Sequence, residues 1–432
     1  MDWRNSLPLK RRLENNLDEF KLLIKKGLLH IFAGSLITKI VGFADVVVLV
    51  RILSKAEYGY WGYANNILQL VLLFAAFGAP AGILHFCSRS KDDMERLTYW
   101  KYGMSYGLKA NLILACIVFF VALRIPLAIP ESRPILMSLS LLPLLMILFE
   151  SITLYLRSTL RNKAFSGLSV LNSSTFFIAS VVGALVFGVI GIAIGRYIAM
   201  VVSIAVGTFV LRKEYSLFGS VPKLERKRKL EFISFSLVAM LTNSISSLLY
   251  KLDTFLIGTI SKSAEAVASY QTATLIPFTL NFIPLALMTF AYPYFARHWQ
   301  EKAWVKQKYW KMTKQLALVN GLISVFLFIF APLIIRIVFG TQYLDSVVPF
   351  RVLAIGFFIA ATFRIPSGNT LVAIGKIKVN FINSIISGIA NIVLDIVLIY
   401  QYGATGAAVA TVIVFVVSSV ISVGYLIHFL GK

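Results

Sequence analysis

Twelve apolar segments, each about 20 residues long, constrain the fold of this chain more than any other feature. Each is long enough to cross the hydrocarbon core of a bilayer as a single α-helix. Hydrophobic residues make up 58% of the chain and charged residues 14%, too little charge to coat a soluble protein of 432 residues. The sequence therefore predicts an all-α integral membrane protein. The spans are expected near 28–50, 60–86, 102–124, 134–156, 167–188, 189–211, 231–258, 266–293, 313–338, 348–372, 380–400 and 404–429.

The distribution of Lys and Arg predicts how these spans are oriented. If the N-terminus is cytoplasmic, the cytoplasmic segments hold 30 of the 42 Lys and Arg residues, and the outer ends and loops hold seven. Such an excess is typical of the cytoplasmic side, so both termini are expected there. Topology thus explains the net charge of +23, and no nucleic-acid partner is expected.

The chain also contains an internal repeat. Residues 44–57 (ADVVVLVRILSKAE) match residues 252–265 (LDTFLIGTISKSAE) at an offset of 208, which aligns Asp45 with Asp253. Residues 187–196 match 402–411 at an offset of 215. Six spans separate the copies, and this even number predicts a parallel repeat with a substrate site between the halves. The expected domains are an amphipathic cytoplasmic segment (1–27), a six-helix bundle (28–211), a basic cytoplasmic linker (212–230) and a second six-helix bundle (231–432).

Several basic side chains are predicted to lie at membrane depth. A Lys or Arg at the centre of a span costs about 2.5–3.5 kcal/mol on insertion scales, so it is expected to face a wet cavity or a partner. A cationic cavity suits the oxygens of a diphosphate. Internal ion pairing, in particular between Lys251 and Asp253, and snorkelling of the long side chains to the membrane surface are the alternatives. The candidate substrate-binding cations are Lys39, Arg196, Lys251 and Arg364.

Polar and acidic side chains complete the predicted site. One helical face of span 11 presents a regular series of polar residues, which predicts either a cavity wall or a helix–helix contact. This polar cavity face comprises Asn380, Ser384, Ser387 and Asn391, with Asp395 on the same face. Acids at membrane depth can bind a coupling H⁺ or Na⁺, with structural pairing as the alternative for each. The candidate acids are Asp45, Glu150, Asp253 and Asp395.

The sequence lacks the motifs of an enzyme. It contains no Walker motif, no G-x-S-x-G motif and no Cys/His group with metal-ligand spacing. Its two cysteines, Cys87 and Cys116, have no such spacing either. We therefore expect a protein that is not an enzyme, with no catalytic residue, bound metal or cofactor.

Three stretches resemble a known family. They are VRILSKAEYGYWGYA at 50–64, the span of Asp253 with the following loop and Tyr270, and NIVLDIVLIYQYGATGAAVAT at 391–411. They resemble bacterial polysaccharide-biosynthesis flippases of the O-antigen and exopolysaccharide type, in the multidrug/oligosaccharidyl-lipid/polysaccharide exporter superfamily. The resemblance covers essentially the whole chain, although Asp395 stands where such proteins often have Asn.

The resemblance implies a fold, an activity and partners. The fold is twelve transmembrane helices in two six-helix bundles. The activity is translocation of an undecaprenyl diphosphate-linked oligosaccharide across the bacterial inner (plasma) membrane, by alternating access driven by an ion gradient or the membrane potential. The expected partners are this lipid-linked oligosaccharide, membrane lipids, a polysaccharide polymerase and glycosyltransferases, and the flippase itself is expected to be a monomer.

Other functions stay open at this point. An ion-coupled multidrug or organic-cation antiporter would share the fold, although the excess of Lys and Arg over acids at depth counts against a cavity for cations. A lipid II-type flippase would share it too, but such flippases usually carry two extra spans. A membrane scaffold that transports nothing would need no charges at depth.

Overall fold

A computed structural model describes residues 28–431, apart from the side chains of residues 28–32, 242, 245–247, 249, 250 and 293. Helices joined by short turns form this part of the chain, with no strand among these residues. The all-α prediction is confirmed, and helices suit a bilayer because they satisfy their own backbone polar groups. Nine helical stretches of the described residues, some made of two consecutive helices, are long and apolar enough to cross a membrane, or ten if Ser132–Ser138 and Leu142–Ser158 form one bent span. The protein is therefore a multi-pass membrane protein.

The helices follow one another with short connections. Those of the first half are α1 (Leu28–Ile52), α2 (Lys55–Val71), α3 (Ala79–Arg89), α4 (Asp93–Arg124), α5 (Ser132–Ser138), α6 (Leu142–Ser158), α7 (Asn162–Phe187), α8 (Val189–Val210) and α9 (Arg212–Ser216). Those of the second half are α10 (Arg226–Ser261), α11 (Ala264–Thr279), α12 (Phe282–Arg297), α13 (Lys302–Val338), α14 (Val347–Ile359), α15 (Ile365–Ala373) and α16 (Ile377–Gly431).

Packing divides the chain into two compact units. The first unit contains the chain up to Ile52 together with Val71–Arg124 and Leu136–Ser244. The second contains Leu53–Leu70, Ile125–Ile135 and the chain from Ile245 onward. Residues 53–70 and 125–135, which the sequence analysis places in the first half of the chain, pack within the second unit. The amphipathic segment predicted at 1–27 lies outside the described residues.

The Ser and Glu of the repeated stretch cap helices. The backbone N–H of Ser54 donates to the Glu57 carboxylate at 2.9 Å, and the backbone N–H of Glu57 donates to the Ser54 hydroxyl at 3.3 Å. This reciprocal arrangement is a capping box. In the second copy, the hydroxyl of Ser263 accepts from the backbone N–H of Ala266 at 3.2 Å. The two stretches thus resemble each other partly because each starts a helix, α2 in one case and α11 in the other.

Close packing of α2 on the second copy explains why residues 53–70 belong to the second unit. A Cβ atom on Gly59 would lie 2.0 Å from the carbonyl oxygen of Ala264, so the two backbones touch. The hydroxyl of Tyr63 lies 3.2 Å from that of Thr259. A helix held this closely by backbone and side chain cannot separate from its neighbour without loss of packing.

Both halves contain the same glycine-dependent break. Gly188 separates α7 from α8 with φ 59° and ψ −143°, and Gly403 interrupts α16 with φ 56° and ψ −133°. Three residues further on, a Cβ atom on Gly191 or Gly406 would lie 1.8 Å or 2.0 Å from the carbonyl oxygen eight residues earlier. Positive φ and such close approach both favour glycine. The matching geometry supports the repeat found in the sequence, and α7 and α8 form a tight hairpin.

The span predicted over 60–86 contains a non-helical segment that the sequence did not indicate. Between α2 and α3 lies a 3₁₀ segment, Leu72–Gly78, in which Ala76 has a φ of 48°. The side chain of Asn111 supports this break, because its Oδ1 accepts from the backbone N–H of Ala76 at 2.5 Å and its Nδ2 donates to the carbonyl of Pro143 at 2.6 Å. Backbone groups freed at membrane depth need such internal partners.

The basic linker predicted at 212–230 packs within the first unit. Arg161 pairs with Glu214 of α9 at 2.5 Å, and Arg228 at the start of α10 pairs with Glu95 at 2.8 Å. Apolar side chains of the linker, such as Leu224, are buried. The connection between the halves is therefore tied to the first unit by charge and by apolar contact.

We expect Gly191→Ala to destabilise the protein, because its Cβ would meet a carbonyl oxygen of α7. Overpacking of this kind costs about 1–3 kcal/mol. Gly167→Ala is the matched control, since a Cβ atom there has nothing within 4 Å. Thermal unfolding of the purified variants in detergent should show a lower midpoint for Gly191→Ala alone. Equal midpoints for the two variants would contradict the packing of the hairpin.

Candidate functional site

The first unit contains a buried acid with an internal cation. Asp45 of α1 is buried, and the hydroxyl of Ser180 on α7 donates to its Oδ1 at 2.5 Å. Arg196 of α8 interacts electrostatically with the Asp45 carboxylate, and its guanidinium lies 4.5 Å from the ring centre of Phe176. Asp45, Ser180 and Arg196 form what we name the first acid cluster. The first acid cluster thus combines one buried carboxyl group with a hydroxyl donor and a cation of the same unit.

The second unit contains two buried acids close together. Asp253 of α10 accepts hydrogen bonds at Oδ2 from the Tyr270 hydroxyl at 2.5 Å and from the Thr411 hydroxyl at 2.8 Å. Asp395 accepts from Asn391 at 3.1 Å and lies within hydrogen-bonding reach of Asp253. These five residues form what we name the second acid cluster. The Asp253 and Asp395 side chains are 4% and 0% exposed, and the Oδ1 atom of each has no hydrogen-bond partner among the described residues.

The two clusters occupy equivalent positions in the internal repeat. The offset of 208 relates their first acids, and the offset of 215 relates the residues on the paired helices. The equivalent pairs are Asp45 and Asp253, Ser180 and Asp395, and Arg196 and Thr411. A hydroxyl and a cation in the first unit are thus replaced by a carboxyl and a hydroxyl in the second. The alignment of residues 187–196 with 402–411 ends on the pair Arg196 and Thr411. Since Arg196 was a candidate site residue, this pairing could have identified Thr411 as another.

This difference gives the second cluster its chemistry. Two adjacent buried carboxyl groups cannot both be ionised without a compensating positive charge, so they share a proton or bind a cation. The groups that surround them are hydroxyl and amide oxygens, which suit a hard cation such as Na⁺. The second acid cluster therefore has the donor set of a proton or sodium site.

A polar pocket of about 320 Å³ lies in the second unit, where α15 is followed by the start of α16. Its residues combine one cation with amides, hydroxyls and an apolar surface. They are Leu285, Arg364, Ile365, Gly368, Asn369, Val372, Asn380, Asn383, Ser384, Ser418 and Ser422. Three residues of the predicted site, Arg364, Asn380 and Ser384, are therefore brought together.

A π-helical turn positions Arg364 in this pocket. The turn covers Ala360–Arg364, and the backbone N–H of Ile365 bonds to the carbonyl of Ala360. Pro366 follows and has no N–H to donate, which favours such an irregular turn. The Nε of Arg364 donates to the Ser418 hydroxyl at 3.2 Å, and the guanidinium lies 5.1 Å from the ring centre of Phe415.

The predicted polar face of span 11 contributes residues to both the pocket and the second acid cluster. Asn380 and Ser384 line the pocket, whereas Asn391 belongs to the second acid cluster. Between them, buried Ser387 donates to the Oδ1 of Asn383 at 3.2 Å. The sequence missed Asn383, although its spacing of three residues from Asn380 places it on the same helical face.

The remaining candidates lie apart from this pocket. Lys39 is exposed on α1 in the first unit. Lys251 donates from Nζ to the Oε1 of Gln69 at 2.9 Å, whereas the partners of Asp253 are Tyr270 and Thr411. The proposed pairing of Lys251 with Asp253 is therefore replaced by a bond to a neutral amide. Glu150 of α6 is exposed and belongs to neither acid cluster.

Comparisons with known proteins give a family and a fold. A family model described as polysaccharide biosynthesis protein matches residues 48–349. No curated protein matches the chain. An inward-facing multidrug resistance MATE transporter of the MOP superfamily has 15% identity and a TM-score of 0.76, covering 91% of this chain and 94% of that one.

Two further solved structures show the same fold. The lipid II flippase MurJ, in an inward closed conformation, has 17% identity and a TM-score of 0.68, covering 93% of this chain and 87% of that one. A MOP superfamily transporter from Pyrococcus furiosus, described as having a binding pocket of reverse polarity, has 15% identity and a TM-score of 0.60, covering 94% and 95%. The resemblance drawn from residues 50–64 and 391–411 is confirmed.

We expect Asp45 and Arg196 to be energetically coupled. Asp45→Asn and Arg196→Gln should each lower the thermal midpoint, because each leaves the opposite charge without its counterpart. The double variant should recover part of the loss, with a coupling free energy of about 0.5–3 kcal/mol. The control is Arg226→Gln at an exposed site, which should show no coupling to Asp45→Asn. Strictly additive effects of Asp45→Asn and Arg196→Gln would contradict the interaction.

Proposed function

The chain belongs to the polysaccharide biosynthesis protein family, and we propose that it is a flippase for a lipid-linked oligosaccharide. The substrate is carried on undecaprenyl diphosphate and moves from the inner to the outer leaflet of the bacterial inner membrane. The observation that carries the proposal is a polar, arginine-containing pocket inside an apolar multi-pass protein of this family. Such a pocket lets a hydrophilic headgroup leave water while the lipid tail stays in the bilayer.

The proposed topology has twelve spans. Ten spans result when the bent pair α5 and α6 counts as one span, and α16 supplies an eleventh because Gly403 divides it into two. The 36-residue α10 supplies the last span, since about 20 residues suffice. We propose two bundles of six helices, at 28–211 and 231–432, with the linker at 212–230 and both termini in the cytoplasm.

Different parts of the protein would meet different parts of the substrate. Lys251 is a proposed contact of the diphosphate in the second unit, because its ammonium bonds to the neutral amide of Gln69 and an ammonium group can bind a phosphate oxygen. Exposed Lys39 is the proposed contact in the first unit. Arg196 is engaged with Asp45, so we assign it to charge balance in the first unit. Arg364 and the polar residues around it would hold the headgroup. Glycosyltransferases would supply the substrate, and a polymerase would consume the product.

The second acid cluster is the proposed site of ion coupling. A proton or Na⁺ bound between Asp253 and Asp395 would neutralise a buried charge that the first unit neutralises with Arg196. Binding and release of that ion would favour different conformations during alternating access. No ATP-binding motif is present in the sequence, which is consistent with an ion gradient as the energy source.

An organic-cation antiporter is the alternative, because the fold is also that of a multidrug transporter. A cationic drug requires an accessible acid in the binding pocket. The pocket presents Arg364 and neutral side chains, and the two acids of the second cluster are buried. These observations favour an anionic, sugar-bearing substrate over a cation.

Deletion of the gene should cause lipid-linked oligosaccharide to accumulate in the inner leaflet. The measurement is access of a glycan-modifying enzyme to the glycan in inverted and right-side-out vesicles. Wild-type protein should restore outer-leaflet glycan, whereas Lys39→Ala should restore several-fold less. Lys109→Ala, which changes another exposed lysine of the first unit, is the control and should act as wild type. An unchanged leaflet distribution in the deletion strain would refute the flippase proposal.

We expect an imposed gradient to stimulate translocation through the second acid cluster. In proteoliposomes, a Na⁺ or proton gradient should accelerate transport several-fold in the wild type. Asp253→Asn and Asp395→Asn should abolish that stimulation, because an amide cannot take up a proton or balance a cation. Glu301→Gln, a change at an exposed acid of the same unit, should leave it intact. Full stimulation in both aspartate variants would place coupling elsewhere.

A further inference from the structure

The pocket around Arg364 has a chemistry that distinguishes between the two hydrophilic parts of the substrate. Resting on the function proposed above, we propose that this pocket binds a sugar unit of the glycan and that the diphosphate is held elsewhere. Three properties support the assignment: the hydrogen-bonding groups of the pocket, its charge and its size. All of them concern residues of the second unit.

The orientation of two carboxamides is determined by their partners. The Nδ2 of Asn369 donates to the carbonyl of Ile365 at 2.8 Å, and the Nδ2 of Asn380 donates to the carbonyl of Gly368 at 2.7 Å. A backbone carbonyl only accepts, so the amide nitrogen must be the atom that faces it. Each side chain therefore keeps its oxygen, together with a second N–H, for a ligand. Ser384 adds a hydroxyl that can donate or accept.

Such groups match the hydroxyls of a sugar and do not match a phosphate. A sugar hydroxyl donates one hydrogen bond and accepts others, so it can satisfy an amide oxygen and an amide N–H in turn. An ionised phosphate only accepts, and an amide oxygen beside it would lose water without gaining a donor. The oxygens of Asn369 and Asn380 would therefore disfavour a diphosphate in this pocket.

The charge of the pocket leads to the same assignment. Arg364 is the one cation among its lining residues, and its Nε already donates to Ser418 while its guanidinium stacks on Phe415. A diphosphate carries several negative charges, and removing them from water requires several cations or a metal ion. One arginine instead suits a neutral or singly charged sugar.

The size and surface of the pocket agree with a sugar unit. Its volume of about 320 Å³ is at the small end of the range of about 300–1,000 Å³ typical of ligand pockets. It therefore accommodates a part of an oligosaccharide. Leu285, Ile365 and Val372 provide an apolar surface for the C–H groups of a pyranose ring, and Asn383 holds the hydroxyls of Ser418 and Ser422 in place.

Gly368 provides a way to block the pocket without disturbing the backbone. A Cβ atom there would meet only the side chain of Asn380, at 3.7 Å, which is an ordinary contact. The larger side chain of Gly368→Leu should therefore fill the pocket. Gly424→Ala is the control, because a Cβ atom there has nothing within 4 Å and Gly424 does not line the pocket. Ser384→Leu would block it from α16 and serves as a second blocking variant.

The experiment measures thermal unfolding of the purified full-length protein with two separate probes. One is the reducing oligosaccharide released by mild acid from the host's own lipid-linked oligosaccharide, and the other is inorganic pyrophosphate. The oligosaccharide should raise the midpoint of the wild type and of Gly424→Ala. Its apparent affinity should fall at least about tenfold in Gly368→Leu and Ser384→Leu, the loss expected when about 1.4 kcal/mol of binding is removed. Any shift caused by pyrophosphate should be the same in all four proteins.

Two outcomes would overturn the inference. One is an oligosaccharide effect that is missing in the wild type or unchanged in both blocking variants. The other is a pyrophosphate effect that Gly368→Leu and Ser384→Leu remove, which would make the pocket a diphosphate site. Failure of the flippase proposal is separate, because it is detected in the deletion strain. Suppose that the deletion strain accumulates substrate in the inner leaflet and that the blocking variants bind the oligosaccharide as tightly as the wild type does. This result would refute the sugar site and leave the flippase proposal standing.

Discussion

Buried carboxylate charge is the constraint on which the interior of this protein depends. A carboxylate removed from water must be paired, hydrogen-bonded or protonated, because its desolvation is otherwise too costly. In the first unit, Asp45 accepts a hydrogen bond from the Ser180 hydroxyl and is attracted electrostatically by Arg196. The second unit has Asp395 at the place of Ser180 and Thr411 at the place of Arg196. The same position of the repeat therefore has an arginine near its buried acid in the first unit and a second carboxyl group in the second unit.

Helix α16 joins the second acid cluster to the pocket of the second unit. The first part of α16 contributes Asn380 and Ser384 to the pocket and Asn391 and Asp395 to the second acid cluster. A continuous helix is stiff over this distance, so a movement of α16 caused by ion binding would also move the pocket walls. The π-helical turn before Pro366 makes Arg364 part of an irregular segment, the kind of element that often adapts at functional sites.

Much of the fold could be predicted because the signals are local. Apolar length predicted the all-α membrane protein, and the glycine pattern at Gly188 and Gly403 predicted a repeat that the backbone geometry supports. The burial of Asp45 and Asp253 was anticipated from their position in apolar spans. The break supported by Asn111 was missed, since an asparagine in an apolar helix does not indicate which distant backbone group it will meet.

The sequence by itself determined that the chain is helical and crosses a membrane many times, because this follows from the composition and length of its apolar segments. Only the tertiary structure decided which partners the charged side chains have. Ser180 reaches Asp45 across 135 residues and Thr411 reaches Asp253 across 158, whereas Lys251, two residues from Asp253, bonds to Gln69. Hydrogen bonds act over about 3 Å, and helical periodicity contains no information about which helices approach that closely.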